Sequence, residues 1–246
     1  MGRVYNRTTH HYNNMSQQIT HHNNFDANNV NFSDLRKNKM GGKVIYISNE
    51  GRKKMLLQIP KMRAPFGLSE FVDQNSGRSS YSIDLSLDGQ DDLQTALRGL
   101  DSKVVSLIAA NSKAWLGKAH TETVIRDVLY KPVVKEPNDP KYSPTIKLKI
   151  LTNDKGEFIP EAYNNKREEV KLSSLEKGQH LKAIAHISQI WIIDNKCGVT
   201  MRLEQAFFAP TDKIKGFAFQ DDDEDMGEGA GSGEEVEEEE GKEDDE

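Results

Sequence analysis

Cationic and aromatic side chains gather in four stretches of this chain: Lys61, Arg63 and Phe66; Tyr130, Lys131 and Lys135 with Lys141 and Tyr142; Lys147 and Lys149; and Trp191, Lys196 and Arg202. A cation neutralises a phosphate, and a ring face stacks on any base. Together they are the chemistry of a groove that holds a single strand without reading its sequence. Each stretch also has a plainer assignment. Lysines alternating along one strand, such as Lys147 and Lys149, fit the solvated side of a sheet. Trp191, inside Ile190-Trp191-Ile192-Ile193, fits a core as well as it fits a stacking platform, and Trp115 is assigned to the core. Phe66, between Pro65 and Gly67, is the ring most expected to be exposed.

Charge is divided unevenly along the chain. The formal net charge is −6, but residues 221–246 hold 16 carboxylates and one lysine. That leaves residues 1–220 at +9, with 32 Lys and Arg against 23 Asp and Glu. The tail runs through Asp221, Asp222, Asp223, Glu224 and Asp225 to Glu237, Glu238, Glu239 and Glu240, with Gly227, Gly229, Gly231 and Gly233 between them. A basic body attracts phosphate, and a tethered polyanion competes for the same surface.

No catalytic arrangement accompanies these residues, and an enzyme is not expected. Gly41-Gly42-Lys43 lacks the spacing of a phosphate loop. With one cysteine, Cys197, no Cys/His zinc spacing and no internal disulfide are possible. The His10-His11 and His21-His22 pairs lie in an Asn-rich setting that suits an unfolded segment better than a metal site. Asp91 and Asp92 stand at a helix start, where carboxylates favour the dipole. No cofactor is implied. Without an apolar leader or a membrane-length apolar run, the chain is expected to be intracellular, in cytoplasm or nucleus, neither secreted nor membrane-bound.

Positioning these residues falls mainly to strands. Val44–Ile47, Met55–Ile59, Tyr81–Leu87 and Ile146–Ile150 read as strands, the last two by strict alternation. His180–Ile193 and Val199–Phe208 read as a long hairpin around Asp194-Asn195-Lys196-Cys197-Gly198. Leu93, Leu97, Leu100, Val104, Leu107 and Ile108 recur at helical steps from Asp91 to about Asn111, and a shorter helix is expected over Thr121–Leu129. Pro60–Gly67, with two prolines and a glycine, reads as a rigid exposed connector. The expected organisation has three parts. Residues 1–42, with nine Asn in the first 40, form a disordered segment; residues 43–210 form a mainly β, OB-like Greek-key barrel with an inserted helix; residues 211–246 form a disordered acidic tail.

Leu57-Gln58-Ile59-Pro60-Lys61-Met62-Arg63-Ala64-Pro65-Phe66-Gly67, the run Ile187–Gln205 with Lys196-Cys197-Gly198-Val199-Thr200 at its turn, and the acidic end together resemble a known group. These features are similar to those of the single-stranded-DNA-binding proteins of large eukaryotic DNA viruses, particularly algal ones. That group is in turn similar to the OB-fold replication protein of short-tailed phages. The resemblance covers roughly residues 43–210 plus the tail. It implies a barrel that coats single-stranded DNA in viral replication, recombination or repair, and a tail that docks on DNA polymerase or helicase. Tails of that family often finish on an aromatic residue, whereas this chain finishes Asp244-Asp245-Glu246 and its nearest ring is Phe219. Homodimer formation is an open alternative for its assembly. Two other functions compete: an RNA-binding protein of the same fold, and a histone-chaperone-like or virion scaffold protein whose tail binds basic partners. The +9 body weighs against the second of these.

Overall fold

In the computed structural model, residues 18–38 and 41–210 are described. Chain order runs β1 (Ile19–His21), β2 (Asn31–Phe32), β3 (Arg36–Lys37), β4 (Lys43–Ser48), β5 (Met55–Arg63), β6 (Leu68–Val72) and β7 (Ser79–Ser86). Then come α1 (Asp91–Leu116), α2 (Glu122–Val124) running into a π-helical turn (Ile125–Leu129), and β8 (Tyr130–Lys131). β9 (Thr145–Ile150), β10 (Glu161–Tyr163), β11 (His180–Ile193) and β12 (Lys196–Phe207) complete the fold. The protein is mainly β, an OB-like barrel with one long helix inserted between β7 and β8.

The β11–β12 hairpin is the spine of this sheet. β4 and β5 pair antiparallel with β11, while β8, β9 and β10 pair parallel with β12. β7 then adds to β9 and β6 to β7. Inward residues of the spine (Leu181, Ala183, Ala185, Ile187, Ile190, Ile192) meet Leu57, Ile59, Ile83, Leu85, Ile146 and Leu148 in one core. The hairpin turn is tighter than the sequence suggests. Ile193 pairs with Lys196, so only Asp194 and Asn195 lie outside the ladder.

α1 closes the core with Leu93, Leu97, Leu100, Val104 and Ile108, all buried on one face. It runs past the expected end near Asn111 to Leu116, where Trp115 and Leu116 pack against the core and Gly117 ends the helix in the left-handed region. Asn111 Nδ2 donates to the Leu107 carbonyl (2.9 Å) and Ser112 Oγ to that of Ala109 (2.8 Å).

Two expectations need correction. Residues 18–38 are not disordered: β1 pairs with β5, and β2 and β3 pair with β4. Phe25 and Val30 reach the core. Lys103 of α1 donates to the carbonyls of Ala27, Asn28 and Val30 (2.9, 2.9 and 2.8 Å), so one ammonium satisfies three backbone acceptors of the segment. Nor is Pro60-Lys61-Met62-Arg63 a connector, because β5 continues through it. The β5–β11 register shifts between Leu181 and Ala183, opposite Pro60 and Lys61. A bulge is a place where a strand tolerates a residue without an N–H. The acidic residues 211–246 lie outside the described part.

Asp101 on α1 organises the crossing that follows the helix. Its Oδ1 accepts from the Tyr130 hydroxyl (2.6 Å) and the Val133 N–H (2.9 Å), and Oδ2 faces the Val134 N–H (3.4 Å). Burial pushes the Asp101 carboxyl above the usual carboxylate range, against the pull of these donors. Asp101→Ala leaves the Tyr130 hydroxyl and Val133 N–H buried without partners, and should cost about 1–3 kcal/mol for each. The raised folded value means that the native state takes up the proton more readily than the unfolded chain. Stability should therefore rise as pH falls from neutral through that value towards the ordinary one. Melting temperatures against pH should show this rise in the parent chain and lack it in Asp101→Asn.

Candidate nucleic-acid interface

Alternation on the spine decides which side chains face out. From His180 to His186 the even positions point away from the core. The β11–β12 register then shifts between Ile187 and Gln189, leaving Ser188 as an extra residue. Ser188 Oγ donates to the Thr200 carbonyl at 2.9 Å, which satisfies the bulge. Beyond it the odd positions Gln189, Trp191 and Ile193 point outward, while Ile190 and Ile192 are buried.

Three rows cross this outer face. Trp191 stands between Val44 on β4 and Gly198 on β12, with Lys131 of β8 beyond Gly198. Tyr46 stands opposite Gln189, which faces Thr200. His186 stands opposite Arg202, which pairs with Lys149 of β9. Tyr46 and Trp191 are thus diagonal neighbours on one face, a relation that spaces residues by ~7–8 Å. Tyr46 is 46% exposed. Trp191 is half-buried because its ring lies across Gly198. A Cβ built there would come within 2.9 Å of the ring and 3.0 Å of the Lys131 carbonyl.

Tyr46 is held by the N-terminal segment: its N–H donates to Ser33 Oγ (2.9 Å), and the Ser33 N–H donates to its carbonyl (3.0 Å). The turn after β4 is folded by Asn49, whose Oδ1 accepts from the Lys53 N–H (2.9 Å) and whose carbonyl accepts from Arg52. Arg52, Lys53 and Lys54 of this turn line a cavity of about 420 Å³ together with Tyr46, His186, Gln189 and Arg202. Glu204 is the carboxylate that meets these cations, with Oε2 3.7 Å from Lys54 Nζ and Oε1 3.0 Å from His186 Nδ1.

Arg202 and Lys149 face each other, and neither forms an ion pair among the described residues. Burial, then the charges of Arg202 and Lys147, hold the Lys149 ammonium below the usual lysine range. Two adjacent cations without a counter-charge make a site for an anion. Lys147 contributes less, because Asp84 is 3.4 Å away.

The structure brings Lys131, Lys149, Trp191 and Arg202 onto one face. Lys61 and Arg63 lie at the opposite end of β11, where Arg63 pairs with His180, roughly 35 Å from Trp191 at ~3.3 Å per residue. Phe66 follows them, 61% exposed in a turn at Gly67, where a Cβ would meet the Lys177 backbone nitrogen at 2.9 Å. Lys141 pairs with Asp139 (2.8 Å) and covers the Tyr142 ring (4.8 Å), off the sheet in the loop between β8 and β9. Lys196 donates to the Val128 carbonyl at 2.6 Å, which holds its ammonium at the end of the helical turn. Tyr130 leaves the candidate face altogether: it is buried against Asp101 and presents no ring face to a ligand. Cys197 is buried too, and burial pushes its thiol up to about 11.

Sequence reasoning missed Tyr46, Arg52, Lys53, Lys54, His186 and Gln189. A signal existed in Val44-Ile45-Tyr46-Ile47, where alternation sets Tyr46 opposite to Ile45 and Ile47. Another was the basic run directly after the Asn49-Glu50-Gly51 turn. Among the described residues no group of three or more His, Cys, Asp or Glu could hold a metal ion, and no helix is long and apolar enough to cross a membrane.

No protein-family model matches the chain, and no curated protein sequence matches it. Solved structures similar to it include the single-stranded DNA-binding protein from bacteriophage Enc34 in complex with ssDNA. That pair shares 14% identity over 74% of this chain and 97% of that one, at a TM-score of 0.39. gp2.5, a single-stranded DNA binding protein encoded by bacteriophage T7, is 16% identical over 73% of this chain and 98% of its own, at a TM-score of 0.40. A C-terminal truncation of the Enc34 protein matches at 14% identity over 76% and 97%, with a TM-score of 0.36. At these values the function of the chain rests on its own residues.

Gly198→Ala should push the Trp191 ring off β12. The expected result is a loss of about 1–3 kcal/mol in stability, as overpacking costs. A shift in tryptophan emission should accompany it and be missing when Trp191→Phe is added.

Proposed function

We propose that this chain binds single-stranded nucleic acid, DNA in the first place, on the outer face of its β4–β11–β12–β9 sheet and without catalysis. The observation that carries this reading is the placement of Tyr46 and Trp191 as diagonal neighbours on the face that also carries the Arg202–Lys149 pair, which has no ion-pair partner among the described residues. Rings stack on bases of any identity, and the cations take the backbone. The separate cluster of Lys61, Arg63 and Phe66 is a second contact along the same strand of nucleic acid. Protection of single strands during replication, recombination or repair of a viral genome, inside a host cell, is the setting implied by the family resemblance. The acidic tail would compete with nucleic acid for the groove and, once displaced, present its carboxylates to a polymerase or helicase.

Titration of the full chain with oligo-dT, oligo-U and duplex DNA across a salt range tests this. Oligo-dT should bind most tightly. Its log affinity should fall linearly with log salt, by ~0.7 for each phosphate neutralised. Tyr46→Ala and Trp191→Ala should each lose about 1–3 kcal/mol of affinity for oligo-dT. Arg202→Ala should weaken binding and reduce the salt slope. Preference for duplex, or affinities unmoved by these variants, would refute the assignment, and preference for oligo-U would make RNA the ligand. Deleting residues 221–246 should tighten binding most at low salt, where charges act furthest. Equal affinity with and without the tail would show that it is no competitor.

A further inference from the structure

One carboxylate, Glu204, contacts two of the residues that line the groove, Lys54 and His186. The β11–β12 register shifts again between Ile184 and Ala185, which pair with Gln205 and Leu203. Glu204 is therefore the extra residue of a bulge on β12. Alternation along β12 from Arg202 through the buried Leu203 already directs Glu204 outward, and the bulge re-aims the residue after it. Here the bulge sets Glu204 and Gln205 outward in succession, and the Glu204 carboxylate spans two groove residues, Lys54 at 3.7 Å and His186 Nδ1 at 3.0 Å. Arg202 lies two residues before it on the same strand, and Lys149 pairs with Arg202.

We propose that Glu204 is a tethered counter-ion of the groove: it occupies Lys54 and His186 in the free protein and is displaced by the phosphate of an incoming strand, so that it sets both the affinity and its pH dependence. The inference rests on the outer face being the nucleic-acid site. Its physical content is an exchange of anions at two fixed donors. A backbone phosphate can take the position of the carboxylate only by breaking both contacts, so short or weakly charged ligands are disfavoured relative to a continuous polyanion.

His186 makes the exchange proton-dependent. The groups facing it are Glu204 and Arg202 from β12 and Lys54 from the turn before β5. Burial holds its imidazole below the usual histidine range; Glu204 pulls the other way, and Lys54 and Arg202 add to the depression. The incoming strand exchanges one carboxylate for a run of phosphates, so the negative charge around the ring grows, the imidazolium is favoured and binding takes up a proton. By linkage, affinity rises as pH falls from neutral through the range in which His186 titrates.

The test compares the full-length parent with Glu204→Gln, His186→Gln and a control, Glu168→Gln, in an exposed turn away from the groove. Affinity for oligo-dT is measured between pH 5.5 and 8 at fixed salt, and the titration of His186 is followed by NMR in the free proteins. Glu204→Gln should bind several-fold more tightly at neutral pH, and its His186 should titrate lower than in the parent because the supporting carboxylate is gone. His186→Gln should lose the pH-dependent part of binding. Tightening by Glu168→Gln equal to that by Glu204→Gln would reduce the effect to net charge and overturn the proposal. So would an unchanged His186 titration in Glu204→Gln, or pH dependence that survives His186→Gln. Failure of Tyr46→Ala and Arg202→Ala to weaken binding would instead remove the groove itself. Weakening by those two with no gain in Glu204→Gln would leave the groove standing and exclude the counter-ion.

Discussion

The whole architecture depends on the antiparallel pairing of β11 with β12. β4, β5, β8, β9 and β10 all hydrogen-bond to one member of this pair. Its register therefore fixes what the rest of the sheet presents to core and solvent. A strand has period two, and a one-residue slip exchanges its faces. The single extra residue Ser188 performs that exchange within β11. It lets His186 and Trp191, five positions apart, stand on the same outer surface while Ile187 and Ile190 both enter the core. Without it Trp191 would be a core residue, and the aromatic and cationic halves of the groove would lie on opposite sides of the sheet.

That dependence explains what was legible in the sequence. The hairpin, β4, β7, β9 and α1 carried their own periodicity, because each buries one face against a common core. Trp191 stayed ambiguous for a physical reason: its side depends on a bulge, and a bulge is created by pairing with a partner rather than by a local preference of Ser188. The continuation of β5 through Pro60 was hidden in the same way. A proline ordinarily argues against a strand, and it is accommodated here where β5 is out of register with β11. Tyr130 looked like a stacking ring because its partner, Asp101, lies 29 positions earlier.

The N-terminal segment makes the same point more strongly. Residues 18–38 have few apolar side chains and many asparagines, which locally favour an unfolded chain. What holds them is long-range: Lys103 capping three carbonyls, Phe25 and Val30 in the core, and three short pairings to β4 and β5. The segment in turn supports the groove, since Ser33 braces Tyr46 and Asn31 Nδ2 donates to the Asn49 carbonyl at the base of the Arg52–Lys54 turn. Order in an Asn-rich stretch is here a property of the assembled barrel.

Magnitudes decide how the opposing charges of the groove divide their roles. The Lys54–Glu204 pair is partly exposed, with side chains 52% and 33% accessible. Pairs of this kind contribute about 0–1 kcal/mol. A stacked base contributes about 1–3 kcal/mol at each ring. On the proposed reading, stacking at the two rings would exceed the Lys54 contact, and the 3.0 Å contact with the less accessible His186 would be the larger part of what Glu204 withholds from a strand. The Arg202–Lys149 pair works in the opposite sense. Two like charges set side by side on adjacent strands oppose the folded state, and the sheet holds them together through the apolar contacts of Met201, Leu203, Leu148 and Ile150 beneath. On the proposed reading a phosphate between them would relieve that repulsion, so the packing of the core below would supply part of the binding energy.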